Sequence, residues 1–216
     1  MHSHEALRGA LMSEGYSASS IAVYRSLQAA RACFHRWLFR ISTERRVIER
    51  DIKRWNDVLR GPDRGDRAKG ASLVRLIAAY PAFRTLFCYR VAKERRLGVR
   101  VLLELAKFCY RPLESLYIVT PSIGPGLFIQ HGFSTIIAAK SLGENCWVNQ
   151  QVTIGFSNVD DCPTLGNNVS VKAGAIVIGD IRIGDNAIVG AGAVVVEDVP
   201  PGCTVVGVPA RVIRRP

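Results

Sequence analysis

No uncharged apolar run reaches the length of about 18 residues that a membrane-crossing helix needs. The opening residues, Met1-His2-Ser3-His4-Glu5, lack the charged-then-apolar build of a secretory signal, so the chain is expected to be soluble and cytoplasmic. Six cysteines are present, but none forms a CxxC pair and their scatter gives no disulfide framework. They read as reduced thiols that behave as small apolar groups. Histidine is scarce, with four in all, and His131 alone lies beyond residue 35. Acidic residues are short in one half only. Residues 1–112 carry 23 Lys and Arg against 10 Asp and Glu, whereas residues 113–216 carry 6 against 8. Such a basic half suggests nucleic acid, yet no DNA- or RNA-binding motif accompanies it, and no nucleic-acid partner is expected.

The two halves also differ in period. Ile21, Tyr24, Leu27, Ala30, Phe34 and Leu38 recur at helical spacing, predicting helix over residues 17–60. The cluster Gly61-Pro62-Asp63-Arg64-Gly65-Asp66 breaks it, and helix resumes over 72–96 and 98–107. The stretch Phe34-His35-Arg36-Trp37-Leu38-Phe39-Arg40 could lie on a membrane surface, but a packing face with snorkelling arginines is the favoured reading.

After Ile123 the period becomes six. Aliphatic anchors fall at Ile123, Ile129, Leu142, Val148, Ile154, Leu165, Val171, Val177, Ile183, Val189 and Val195. A small or apolar residue follows four places later, as at Cys146, Ala175, Ala187 and Ala193. A coil of short flat strands explains this, with each anchor stacked on its equivalents in the coils above and below. The predicted architecture is therefore α+β: a basic helical domain over 1–115, a parallel β-helix over 116–199, and a capping strand with a basic tail over 200–216. One extra residue is expected near 135–141. The spacing of eleven from Ile154 to Leu165 predicts a protruding loop over 156–164.

The sextets, with Gly207-Val208-Pro209-Ala210-Arg211 after Pro200-Pro201-Gly202, resemble the hexapeptide-repeat acyltransferases. Gln130-His131-Gly132, Gln150-Gln151-Val152-Thr153-Ile154-Gly155 and Tyr80-Pro81-Ala82-Phe83-Arg84 point to the serine acetyltransferase-like branch, nearest its surface-polysaccharide-associated members. The resemblance implies a left-handed β-helix, a homotrimer that the helical part could double into a hexamer, and acetyl-CoA lying between subunits. Transfer to a hydroxyl needs a base and donors for the developing oxyanion. His131 stands where the family has its general base, and histidine titrates near neutrality.

An acidic residue orients that base in the family. The matching position falls near Leu116, so Glu114 is the candidate, unless it is simply a solvated charge and another acid or a carbonyl serves. For the donor, the resemblance assigns the amides of Ala173 and Ala191 to the pantetheine arm, Gly155 to the thioester region, and Arg211 and Arg214 to the nucleotide phosphates. The family's serine-binding positions correspond here to Tyr80, Gln130, Asp161 and Cys162, none of which carries a positive charge. The ending Arg215-Pro216 also departs from the isoleucine-ended serine acetyltransferase tail. The expected acceptor is thus a sugar hydroxyl or a serine-like group, with free L-serine as the alternative and a non-catalytic trimeric scaffold as another. No metal is expected, because a single histidine cannot close a zinc site on this repeat.

Overall fold

The computed structural model describes residues 18–60 and 73–216. The predicted breaker cluster at 61–66 lies outside them. Among the described residues six helices precede the strands: α1 Ala18–Arg31, α2 Cys33–Ile41, α3 Arg45–Arg60, α4 Leu73–Ala79, α5 Pro81–Ala92 and α6 Leu97–Cys109.

The single helix expected over 17–60 is three. Ser42 is extended, with φ −71° and ψ 137°, and the Glu94 carboxylate accepts from Thr43 N and Oγ1 at 2.5 and 2.8 Å. That partner is 51 residues away, beyond the reach of local periodicity. Pro81 divides the next predicted helix by holding Tyr80 extended, with φ −124° and ψ 96°.

Fifteen strands follow. Three parallel sheets form the sides of a prism: sheet A (β1 Leu116–Ile118, β4 Thr135–Ile137, β7 Thr153–Gly155, β10 Ile176–Ile178, β13 Val194–Val195), sheet B (β2 Ser122–Ile123, β5 Ser141–Leu142, β8 Thr164–Leu165, β11 Arg182–Ile183) and sheet C. Sheet C holds β3 Phe128–Ile129, β6 Trp147–Val148, β9 Ser170–Val171, β12 Ile188–Val189, β14 Thr204–Val206 and β15 Arg211–Arg214. The chain runs A to B to C and returns to A, forming a parallel β-helix. All eleven anchors are buried, as are Cys146, Ala175, Ala187 and Ala193. The parallel coil continues past residue 199, since β14 pairs with β12, and only β15 folds back antiparallel.

The helices sit on the first coil. Trp55 of α3 donates its indole N–H to Leu127 O at 2.9 Å and packs against Phe128 with 4.7 Å between ring centroids. Arg90 of α5 is fully buried. It donates to both carboxylate oxygens of Asp51 (2.9 and 3.3 Å), to Ile123 O (2.6 Å) and to Gly124 O (2.8 Å), while Asp51 also accepts from Gly126 N at 2.6 Å. All six cysteines are free. Burial pushes the Cys88 thiol up to about 12 and Cys146 to about 11, so neither is a nucleophile at neutral pH.

Candidate active site

Each coil passes from sheet C to sheet A through a turn, and these turns stack along one edge of the prism. Gln130 and His131 follow β3, Asn149 and Gln150 follow β6, Lys172 and Ala173 follow β9, and Gly190 and Ala191 follow β12. Backbone bonds link them: Gln151 N to Phe133 O at 3.0 Å, Gly174 N to Gln150 O at 3.1 Å and Gly192 N to Ala173 O at 2.9 Å. His131, Ala173 and Ala191, far apart in sequence, thus form one column. Neither the Ala173 nor the Ala191 amide N–H enters that ladder.

The His131 turn is larger than those beneath it. Ile137, not residue 135 or 136, pairs with the anchor Ile154. The step from Ile129 to Ile137 is eight residues where the lower coils take six, and Ile137 to Leu142 takes five. The irregularity expected near 135–141 is therefore two extra residues at the histidine and one fewer after it. These extra residues push the turn outward. Gly132 N donates to Gln130 O at 2.8 Å, closing a three-residue turn around His131, whose φ is +65°. A side-chain-bearing residue held there costs about 1–3 kcal/mol, which the packing beneath must offset. His131 is exposed, and no side chain among the described residues bonds its imidazole.

Ala82 at the start of α5 and Leu116 of β1 pack against Gly132, bringing the helical half to the turn. Tyr80, two residues before Ala82, lies edge-on to Trp55. Ser115 O accepts from Thr135 N at 2.9 Å, which sets the neighbouring Glu114 beside the same turn, exposed and without a hydrogen bond to His131. The Gln130 side-chain oxygen accepts from Asn149 Nδ2 at 3.4 Å. Asn149 and Lys172 escaped the sequence reading, although both occupy the Gln130 position of their own coils, directly after an anchor. Lys172 is half-buried over the Trp147 ring at 5.0 Å, and burial lowers its pKa.

Asp161 and Cys162 are elsewhere. The loop over 156–163 joins β7 to β8, at the edge between sheets A and B, and Gly155 ends β7 at that same edge. One subunit does not bring them to His131. Asp161 holds its own loop: it accepts from Ser157 Oγ, from Ser157 N at 2.8 Å, from Asn158 N at 2.6 Å and from Asn158 Nδ2 at 3.2 Å. The Ser157 hydroxyl foremost, with the Asn158 amide, lowers its pKa to about 2. Cys162 is buried. Arg211 and Arg214 lie exposed on β15 at the far end of the stack, with Arg211 3.7 Å from Glu197. Among the described residues no cluster of three or more His, Cys, Asp or Glu side chains could hold a metal.

Residues 162–196 match the family model described as bacterial transferase hexapeptide (six repeats). A serine acetyltransferase of Synechococcus elongatus is 41% identical over 152 residues, covering 66% of this chain and 61% of that protein. One from Helicobacter pylori is 37% identical over 150 residues, covering 65% and 85%. Among solved structures, Neisseria gonorrhoeae serine acetyltransferase in complex with serine superposes with a TM-score of 0.58 at 29% identity, covering 82% of this chain and 73% of that one.

Proposed function

The chain belongs to the serine acetyltransferase family of hexapeptide-repeat acyltransferases, and from that premise we propose that it moves the acetyl group of acetyl-CoA to an acceptor hydroxyl with His131 as general base. The observation that carries this reading is the single column of His131, Ala173 and Ala191 on the C-to-A edge. The His131 imidazole takes the hydroxyl proton as the acceptor oxygen attacks the thioester carbon. The carbon–sulfur bond then breaks, and the proton passes to the leaving thiolate. Free amides at Ala173 and Ala191 suit the donor's pantetheine carbonyls, and Arg211 and Arg214 suit its phosphates. Glu114 is the proposed orienting acid. Because the 156–163 loop and Gly155 lie on another edge, the complete site draws on two subunits of a trimer.

Free L-serine is the acceptor that the relatives' names favour, over the sugar hydroxyl expected from the sequence. One feature supports the sugar reading. At a serine-binding position of the family this chain has Asp161, fixed as a carboxylate within its loop, and a negative charge repels an amino-acid carboxylate.

Thiol release from acetyl-CoA, assayed with L-serine and with a panel of sugars and serine-bearing compounds, tests both. His131→Ala should lower turnover by about two to four orders of magnitude with donor affinity retained. Near-wild-type turnover in that variant would end the mechanism. Saturable acetylation of L-serine in preference to every sugar would remove the second reading.

A further inference from the structure

The exposed apolar residues of α6 form a single row. Leu97, Val101, Leu105 and Phe108 recur at the spacing of one helical face, and they are 76, 54, 46 and 83% exposed. The opposite face, Val99, Leu102, Leu103 and Ala106, fills the core. Arg95, Arg100 and Arg111 border the row, while Arg96 is paired with Glu94 at 3.2 Å and Lys107 with Glu104 at 2.7 Å. The row ends at an open cleft of about 700 Å³ lined by Phe108, by Arg31, Arg84 and Arg111, and by one acid, Glu114. Arg31 is fixed there by its bond to Cys109 O at 2.8 Å and by the Tyr110 ring 4.6 Å beneath it. Arg84 is half-buried, and its Nε, like the Tyr110 hydroxyl, has no hydrogen-bond partner.

A second copy of the chain is a poor occupant for this face. A two-fold contact would set the same basic flanks against each other. An anionic bilayer surface complements them, and an amphipathic helix with a basic border is the form that lies in such an interface. The stretch 34–40, considered for this role in sequence, buries His35 and Leu38 and exposes Trp37 alone among its large apolar residues, so it offers no row. We propose that the outer face of α6 docks on an anionic lipid surface, with a lipid phosphate seated among Arg31, Arg84 and Arg111. The basic charge of the helical half then has a partner, and acceptors carried on lipid come within reach of the adjoining Ser115 and the His131 turn.

Co-sedimentation of the full chain with vesicles tests this. The chain should partition onto phosphatidylcholine mixed with phosphatidylglycerol, and far less onto phosphatidylcholine alone. Leu105→Glu with Phe108→Glu, and separately Arg100→Glu with Arg111→Glu, should each weaken binding on the order of tenfold or more. Salt should weaken the wild type. Thiol release without vesicles should be unchanged in both variants, which separates this surface from the catalytic reading. Equal binding to both vesicle types, or none to either, would overturn the proposal. So would a smaller sedimenting species for the Leu105/Phe108 variant, which would assign the face to a contact between copies.

Discussion

Gly132 holds φ at +73°, and a methyl group on its α-carbon would sit 2.9 Å from Ile129 Cγ2 and 3.1 Å from Ala82 Cβ. The left-handed conformation and the crowding together should cost Gly132→Ala about 2–4 kcal/mol of stability. The turn must also move, carrying His131 with it, so turnover should fall while the donor dissociation constant stays near wild type. Denaturation and steady-state kinetics on one preparation would check both, and an unchanged turnover would show that the turn geometry does not matter. His35 sets a different constraint. It is fully buried between Phe87 and Tyr110 with neither ring nitrogen bonded. Burial, aided by the nearby Arg84 charge, lowers its pKa from 6.5 to about 4. Between those values the unfolded chain takes up a proton that the folded chain refuses. Stability from this residue is complete above pH 6.5 and is lost as pH falls towards 4, by about 3 kcal/mol in all. His35→Phe should flatten that slope in denaturant midpoints measured from pH 7 to 4. An equal slope in the variant would assign the acid sensitivity to other groups.

At the scale of elements, α3 and α5 are joined to the first coil by one buried ion pair. Asp51 and Arg90 reach across the seam, and the same carboxylate accepts the Gly126 amide. Removing one partner of such a pair leaves an uncompensated buried charge, which costs about 3–5 kcal/mol. Asp51→Ala should therefore destabilise the chain by that amount and loosen the helices from the coil. Trp55 stands at this seam, so its fluorescence should report the loss early in the unfolding curve. A shift under about 1 kcal/mol would mean that the seam is held by its aromatic packing alone.

For the molecule as a whole, legibility followed the range of the interactions. The coil could be read because each anchor meets its equivalent in the next turn, so a local period carries the tertiary contact, and Ile123 through Val195 were all found buried. His131, Ala173 and Ala191 were assigned through the family resemblance instead, and the stacking of successive turns sets them in one column. The Ser42–Glu44 break has a local part, Ser42 Oγ accepting from Glu44 N at 3.1 Å, and a part no local pattern shows, the Glu94 carboxylate reaching Thr43 from the far side of the helical layer. The two residues added at His131 were displaced in the reading because the compensating deletion after Ile137 leaves only the net count visible. That Asp161 binds Ser157 and Asn158 is not visible in its spacing. The strand β15 has a further consequence. A stack of like coils grows by offering its last strand as a template, and unpaired strand edges invite end-to-end polymerisation. In sheet C the chain doubles back and covers that edge with a strand of opposite polarity, while Asp51 and Trp55 fasten the helical layer over the other end. The sheet C edge at one end and the helical layer at the other are thus closed from within the chain, which works against stacking of one solenoid on the next.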